Sequence, residues 1–363
     1  MALSFLRRNK AAYLSFFILL AAYAPARAQR PVASFFYDGR GQAIRQERDT
    51  NGDGKMDRWI YYNGKGEIER VDQDEDFDGR PDLVTYYEGG KPSQERRSTK
   101  HNGQFDRVVS FQDEKVIRIE QDTNGDGKMD TFSIFQDGQL VRKEVDREHA
   151  GKIDLWGYYQ GGRLVRQEED LNGDGRPDRR LYFEGEQLAL REENSHASGQ
   201  IDLLETYSQG KLSKRLLAGK VKGDLDTLQV FKNGELVYEE KDTAGTGYFN
   251  LRTFYDQGQV VRQEGDTNGD RRVDVWVTYR NGQKVEQEED LNFNGKIGAR
   301  YFFKDEQVVG QEPVAEAEPK MPPQPFGAVN NEVRSMSAQI NPATQGNRKI
   351  AAPGSLESKT DKM

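Results

Sequence analysis

From about residue 33 to about residue 312 the chain alternates short apolar-rich runs with polar clusters, in the order strand, turn, strand, loop. TFSIFQDGQLVRKEV (131–145) and LWGYYQGGRLVRQEE (155–169) show the unit. Both runs of each unit are rich in Tyr, Phe, Val and Ile, the residues that pack well on a pleated surface. Asn233-Gly234, Asn281-Gly282 and Asp137-Gly138 supply the positive φ that a two-residue type I′ hairpin turn requires. In the first full repeat the turn is longer, Asn63-Gly64-Lys65-Gly66, an insertion that costs little. Twelve hairpins align in this way. No helical period accompanies them, so the pattern predicts an all-β chain.

Aligned on their turns, the hairpins share an aromatic residue just before the turn: Tyr37, Tyr62, Tyr87, Phe111, Phe135, Tyr159, Phe183, Tyr207, Phe231, Tyr255, Tyr279 and Phe303. The turn sets each against the first apolar residue of the return strand, such as Leu140, Leu164, Leu212 or Leu236, a contact worth roughly 0.2–1 kcal/mol. The opposite face carries Trp59, Trp156, Trp276 and Tyr158, expected to face Val165, Val261 or Val285. Strands are thus apolar on both faces near the turn. Near the loop they are charged, as in Arg166, Glu168 and Asp170.

The loops between hairpins fix the period. DTNGDGKMD at 49–57 recurs as DEDFDGRPD at 74–82, again as DTNGDGKMD at 122–130 and as DLNGDGRPD at 170–178. Degenerate versions begin at 98, 146, 194, 218 and 242, and DTNGDRRVD (266–274) and DLNFNGKIG (290–298) end the series. Successive starts differ by 24 residues, except the first pair, which differ by 25. Such self-similarity is the mark of a repeat architecture. Two architectures fit: an elongated, coiled antiparallel meander of hairpins, or a six-bladed β-propeller made of twelve hairpins in pairs. Low hydrophobicity favours the open meander. The repeat domain is placed at 29–312. After it, PVAEAEPKMPPQPFG and the rest to Met363 have no strand pattern, so 313–363 reads as a disordered, Pro-rich and polar tail.

The complete loops have the form D-x-N-x-D-G-x-x-D. This places side-chain oxygens at loop positions 1, 3, 5 and 9, a glycine at position 6 and a backbone carbonyl at position 7. A hard cation needs six to eight oxygens at about 2.3–2.6 Å, and a short loop with this spacing offers them. The candidate calcium ligands are Asp49, Asn51, Asp53, Lys55 and Asp57; Asp74, Asp76, Asp78, Arg80 and Asp82; Asp122, Asn124, Asp126, Lys128 and Asp130; and Asp170, Asn172, Asp174, Arg176 and Asp178. The Lys and Arg members contribute their carbonyls. Two weaker sites follow. Asp266, Asn268, Asp270 and Asp274 surround Arg271 in place of the turn glycine, and Asp290, Asn292 and Asn294 lack a final acid, which is Gly298. The remaining loops lack ligands at position 3 or 5 and are expected to be empty, with Asp146 and Asp242 as remnants.

These loops resemble the calcium loops of EF-hands, dockerins and thrombospondin type 3 repeats. They depart from the EF-hand in being flanked by strands and in lacking Glu at position 12, where Ile60, Thr85 and Ser133 stand. The acid at position 9, with Glu47 or Glu120, is expected to fill that role. The hairpins resemble MORN-like and YD-type bacterial repeats through motifs such as Tyr159-x-x-Gly162-x-Leu164. The resemblance implies Ca²⁺ as the bound ion.

Composition narrows the function. The first 28 residues, with three early basic residues, the apolar run AAYLSFFILLAAYA and a terminal A-x-A, read as a signal peptide cleaved after Ala28. That predicts an exported protein, periplasmic, secreted or at the cell surface, with no transmembrane segment after cleavage. Cleavage leaves 49 basic against 61 acidic residues, a net charge of −12 that disfavours nucleic acid and favours cations. The absence of Cys excludes disulfides and thiolate chemistry. His101, His149 and His196 lie in degenerate loops about 48 residues apart, too far to share a metal in a flat array, and no nucleophilic constellation stands out. Complete and degenerate loops alternate from 74 to 194, which fits Lys100, His101 and Lys152 relieving repulsion between acidic loops, simple decay of unneeded sites, or a 48-residue pairing of hairpins. The expectation is a calcium-binding, non-enzymatic structural or adhesive repeat protein that meets a protein or glycan partner at the cell envelope. Envelope-glycan binding through exposed aromatic residues, similar to choline-binding repeats, is the alternative.

Overall fold

The computed structural model describes residues 33–194, 200–219, 224–319 and 325–338. The predicted signal peptide, His196 and most of the tail lie outside them. The chain divides into two compact units, Met1–Pro81 and Asp82–Met363.

The first unit holds two hairpins, β1 (Ala33–Tyr37), β2 (Ala43–Arg48), β3 (Arg58–Tyr62) and β4 (Ile68–Gln73), each strand antiparallel to the next. The second holds ten. They begin with β5 (Leu83–Glu88), β6 (Lys91–Arg97), β7 (Arg107–Gln112), β8 (Lys115–Gln121), β9 (Thr131–Gln136), β10 (Gln139–Val145), β11 (Leu155–Gln160), β12 (Arg163–Glu169), β13 (Arg179–Glu184) and β14 (Gln187–Glu193). They continue as β15 (Leu203–Ser208), β16 (Lys211–Ala218), β17 (Leu225–Lys232), β18 (Glu235–Lys241), β19 (Leu251–Asp256), β20 (Gln259–Gly265), β21 (Val275–Arg280), β22 (Gln283–Glu289), β23 (Ile297–Lys304) and β24 (Gln307–Ala317).

Pairing in the second unit runs through every inter-hairpin loop. β6 pairs with β7, β8 with β9, β10 with β11, and so on to β22 with β23. A propeller interrupts its ladder after each four-stranded blade. The uninterrupted ladder therefore corrects the propeller alternative: this is an open meander of hairpins. Loop backbone groups carry the ladder across each junction. Asp130 N–H donates to the Gln121 carbonyl and closes its own loop at 2.9 Å, and Asp146 N–H donates to the Asp130 carbonyl at 2.8 Å.

The turns follow the sequence pattern. Asp137, Asn233 and Asn281 have φ of 49°, 56° and 53°, each followed by a glycine at positive φ. The aromatic column also stands as expected, with Phe135 opposite Leu140, Tyr159 opposite Leu164, Tyr207 opposite Leu212 and Phe231 opposite Leu236.

The opposite face differs from expectation. In each hairpin one residue of the return strand is left over just after the aromatic pair. Tyr159 faces Leu164 and Tyr158 faces Arg166, so Val165 has no partner. This bulge moves the rest of the strand by one residue. Trp156 consequently lies between Glu144 and Glu168, Trp276 between Glu264 and Glu288, and Trp59 between Glu47 and Asp72, instead of against valines.

Bulged registers bring arginines over aromatic rings. Arg118 stacks on Phe132, and Arg142 and Arg166 flank Tyr158, at 5.0, 5.5 and 3.9 Å from the ring centroids. Each arginine also pairs with the glutamate two residues on, as in Arg118–Glu120 at 2.8 Å and Arg142–Glu144 at 2.7 Å. Over β14–β17 the same face turns apolar. Leu190, Leu204 and Leu216 are fully buried and Leu228 nearly so, in a core that also holds Tyr182, Phe249 and Val273.

That core is completed by residues the sequence reading assigns to a disordered tail. β24 continues to Ala317, and α1 (Val329–Ala338) follows, the one helix among the described residues. Val329, Val333 and Met336 recur at helical spacing and turn one side of α1 to the core, joined by Phe326. Backbone bonds tie the segment down: Phe249 N–H to the Gly327 carbonyl, Val329 N–H to the Gly247 carbonyl, and Phe326 N–H to the Arg271 carbonyl. Lys214 pairs with Glu332, in the first turn of α1, at 3.0 Å. A helix of ten residues is marginal alone in water, so packing on the sheet accounts for it.

Candidate metal centre

Each acidic loop joins the second strand of one hairpin to the first strand of the next. Within each unit the loops of the meander therefore share one sheet edge, about 10 Å apart. Within them the oxygens fall into two sets.

Positions 1 and 9 are buried and bonded to the loop's own backbone. Asp49 is 1% exposed, and its two oxygens accept Gly52 N–H at 2.6 Å and Gly54 N–H at 2.9 Å. Asp57, also buried, accepts Thr50 N–H and Asn51 N–H. Asp122 and Asp130, Asp170 and Asp178, and Asp266 and Asp274 repeat the pattern. Degenerate loops keep it too. Asp146 accepts Ala150 and Gly151 N–H, Asp242 accepts Thr246 and Gly247 N–H, and Asp106 accepts Thr99 N–H. Asp146 and Asp242 thus shape their loops. Two hydrogen bonds at a buried carboxylate hold such an acid in place whether or not a cation is bound.

Positions 3 and 5 are exposed, and each caps the amide two residues on. Asn51 Oδ1 accepts Asp53 N–H at 2.9 Å and Asp53 Oδ1 accepts Lys55 N–H at 2.8 Å. The same turns occur at Asp76 and Asp78, Asn124 and Asp126, Asn172 and Asp174, and Asn268 and Asp270, and at Asn294. Asn292 is exposed in the last loop. Such turns gather successive side-chain oxygens on one side of the chain. Carboxylate oxygens of Asp74, Asp76 and Asp78 lie within 4.8 Å of one another. Lys55, Arg80, Lys128 and Arg176 are exposed at position 7.

The two loops that depart from the pattern behave differently. Arg271 takes the glycine's place at φ 71° and still donates its N–H to Asp266 Oδ2 at 2.7 Å. Stacking of its guanidinium on Tyr248, 3.5 Å from the ring centroid, and the bond from Phe326 N–H steady this backbone. In the last loop Leu291 packs beside Gly298, where a ninth-position acid would stand.

Bases from degenerate loops sit on their neighbours. His101 Nδ1 lies 3.1 Å from Asp82 and His149 Nδ1 lies 3.3 Å from Asp130. Lys152 Nζ reaches the Gly173 carbonyl at 3.5 Å. The histidines are thus separate companions of two acids. Acidities follow the surroundings. The Asn124 side chain, helped by the Lys128 amide, holds Asp126 below the ordinary carboxylate value. Burial pushes Asp130 up, but hydrogen bonds from Thr123 outweigh it and the net shift is downward. At Asp274 burial prevails and the shift is upward.

Two cavities stand out. The larger, about 470 Å³, is lined by Tyr248, Arg271, Asn331 and Arg334 among others and by no carboxylate, so it is not built for a cation. The smaller, about 10 Å³ in the first unit, is lined by Asn51, Asp53, Lys55, Asp57 and Asp74 together with apolar atoms. Among the described residues no helix is long and apolar enough to cross a membrane.

No family model and no curated protein matches the chain. Similar solved structures include a mutant of S. aureus TarM crystallised with Fondaparinux, alpha-GlcNAc-glycerol and UDP, 14% identical over 33% of this chain, TM-score 0.18. A second TarM structure is 16% identical over 33% of the chain, TM-score 0.17. TcdB2-TccC3 is 11% identical over 82% of the chain, TM-score 0.18. The chain spans 19%, 19% and 20% of those chains, respectively. Likeness at this level carries no functional argument.

Proposed function

We propose that this protein is an exported, calcium-loaded β-hairpin repeat protein with a structural or adhesive role at the cell envelope. It has no catalytic task and presents its repeat surface to a protein or glycan partner. The observation that carries the reading is the division of labour inside the loops. Buried acids at positions 1 and 9 build the loop, while exposed oxygens at positions 3 and 5 are oriented by Asx turns and are complete in the loops beginning at 49, 74, 122, 170 and 266. Nothing in the folding of the degenerate loops requires oxygens at both positions, since Ala150 and Gly151 satisfy Asp146 without them. A cation gives those oxygens a purpose, and in the loop at 74 carboxylate oxygens already gather within 4.8 Å of one another.

Ions that bind only the folded chain stabilise it by about 2.7 kcal/mol per site at 100 times Kd. Thermal unfolding of the full chain in millimolar calcium and in chelator tests this directly. The melting temperature is expected to fall markedly on chelation, and Asp126→Ala to remove part of that difference while leaving the chelated melt nearly unchanged. Identical melts with and without chelator would end the calcium reading.

A further inference from the structure

Asp74 opens the loop after 49–57, and its N–H donates to the Asp57 carbonyl at 2.9 Å. In the loops at 49, 122, 170 and 266 the fourth residue is glycine, and its N–H donates to Oδ1 of the first acid. At 74–82 that residue is Phe77, and only Asp74 Oδ2 is bonded within the loop, by Gly79 N–H at 2.8 Å. Asp74 is 5% exposed, and its Oδ1 is buried with no hydrogen-bond partner. It is the one carboxylate oxygen in that condition among the described residues. A buried, unpaired carboxylate oxygen is costly unless something electropositive meets it.

Asp74 lines the small cavity whose other polar walls are Asn51, Asp53, Lys55 and Asp57, which are positions 3, 5, 7 and 9 of the preceding loop. Asp49, the first acid of that loop, is absent from the lining, its two oxygens already bound to Gly52 and Gly54 N–H. At about 10 Å³ the space suits one atom-sized occupant.

We propose that Asp74 Oδ1 is a ligand of the cation held by loop 49–57, so that one divalent ion joins two successive loops and takes its first-position acid from the repeat that follows. This rests on the calcium reading and sharpens it. The loop that lacks an acid at position 12 obtains one from its neighbour. The oxygen is free to serve because the Phe77 N–H does not reach it as the glycine N–H does in the other loops.

Calorimetric titration of calcium into the full chain tests the proposal in a background carrying Asp76→Ala, Asp126→Ala, Asp174→Ala and Asp270→Ala. These exposed substitutions silence the other complete loops. Asp53→Ala is expected to abolish the remaining strong binding, and Asp74→Asn to weaken it at least about tenfold. Phe77→Gly, which gives position 4 the residue whose N–H meets this oxygen in the other loops and removes no carboxylate, is expected to weaken it in the same direction. If Asp53→Ala abolishes binding while Asp74→Asn and Phe77→Gly both leave Kd unchanged, the shared ligand is overturned and the loop reading stands. If the parent chain takes up no calcium, both fall.

Discussion

Within the second unit, β7–β12 and β14–β17 share the two-residue turn and the bulge after it, yet they fill one face of the sheet in opposite ways. In the earlier stretch Arg118, Arg142 and Arg166 lie over Phe132 and Tyr158 and pair with Glu120, Glu144 and Glu168. In the later stretch Leu190 takes the place of Arg166 and Leu204 that of Trp156, each one or two repeats on, and both are fully buried. What differs is the cover. Phe326, Val329 and Met336 join the leucine core, whereas the arginine ladder makes its own roof from guanidinium groups whose stems shield the rings. Loop backbone bonds carry the ladder across junctions in both stretches, as Asp130 N–H to the Gln121 carbonyl and Asp202 N–H to the Glu193 carbonyl show. Register therefore comes from the loop and the turn, and the face is free to be ionic or apolar according to what lies on it.

The sharpest way to break this comparison is to remove apolar bulk or its cover. Leu204→Ala is expected to cost about 4–5 kcal/mol in denaturant unfolding, the upper part of the range for a fully buried leucine. Met336→Asp is expected to cost at least as much and to raise binding of a hydrophobic dye, because a lone carboxylate cannot stay in that core. A smaller loss is expected from Arg166→Ala. Arg166 is 5% exposed and its removal leaves Glu168 with Arg180 3.5 Å away, so about 3 kcal/mol is expected, at the low end for a broken buried pair. If Arg166→Ala proves as costly as Leu204→Ala, the ladder is a core in its own right.

Acid distinguishes the two stretches with the smallest effect. Asp130, beside the ladder, is held below the ordinary value of 3.8, by Thr123 against the upward push of burial. Its stabilising contribution is complete above that value and is lost as pH falls through the lowered one. Glu240, opposite Leu228 at the edge of the leucine core, is raised above 4.5, chiefly by burial despite Arg252. There the sign is reversed: the proton is held more tightly in the folded chain, and stability falls as pH rises from about 4.5 through the raised value. Stability profiles in chelator should show Asp130→Asn flattening the limb below about pH 4 and Glu240→Gln flattening a shallow decline just above it.

The hairpins, the period and the partners of the aromatic column were legible because each depends on local chemistry repeated twelve times. The bulge was not. Val165 is as apolar as the residue a regular strand would place there, so alternation alone cannot tell an extra residue from a paired one. The docked C-terminal segment was hidden for another reason: Phe326, Val329 and Met336 are sparse among polar neighbours, and the surface that orders them lies about a hundred residues earlier. In the loops the spacing of oxygens was plain, but their existing bonds were not. D-x-N-x-D-G-x-x-D counts Asp49 and Asp53 alike, although the first is occupied by two backbone amides and the second faces solvent.

An array in which each hairpin touches only its neighbours unfolds like a zip, with the ends fraying first and cooperativity fading with distance. The C-terminal segment changes that arithmetic over one stretch. It holds Lys214, Gly247 and Arg271 at once, so hairpins that would otherwise communicate only through those between them share a common fastener. Amides from about 203 to 274 are expected to exchange with solvent as a single block, leaving the ladder repeats to open one at a time.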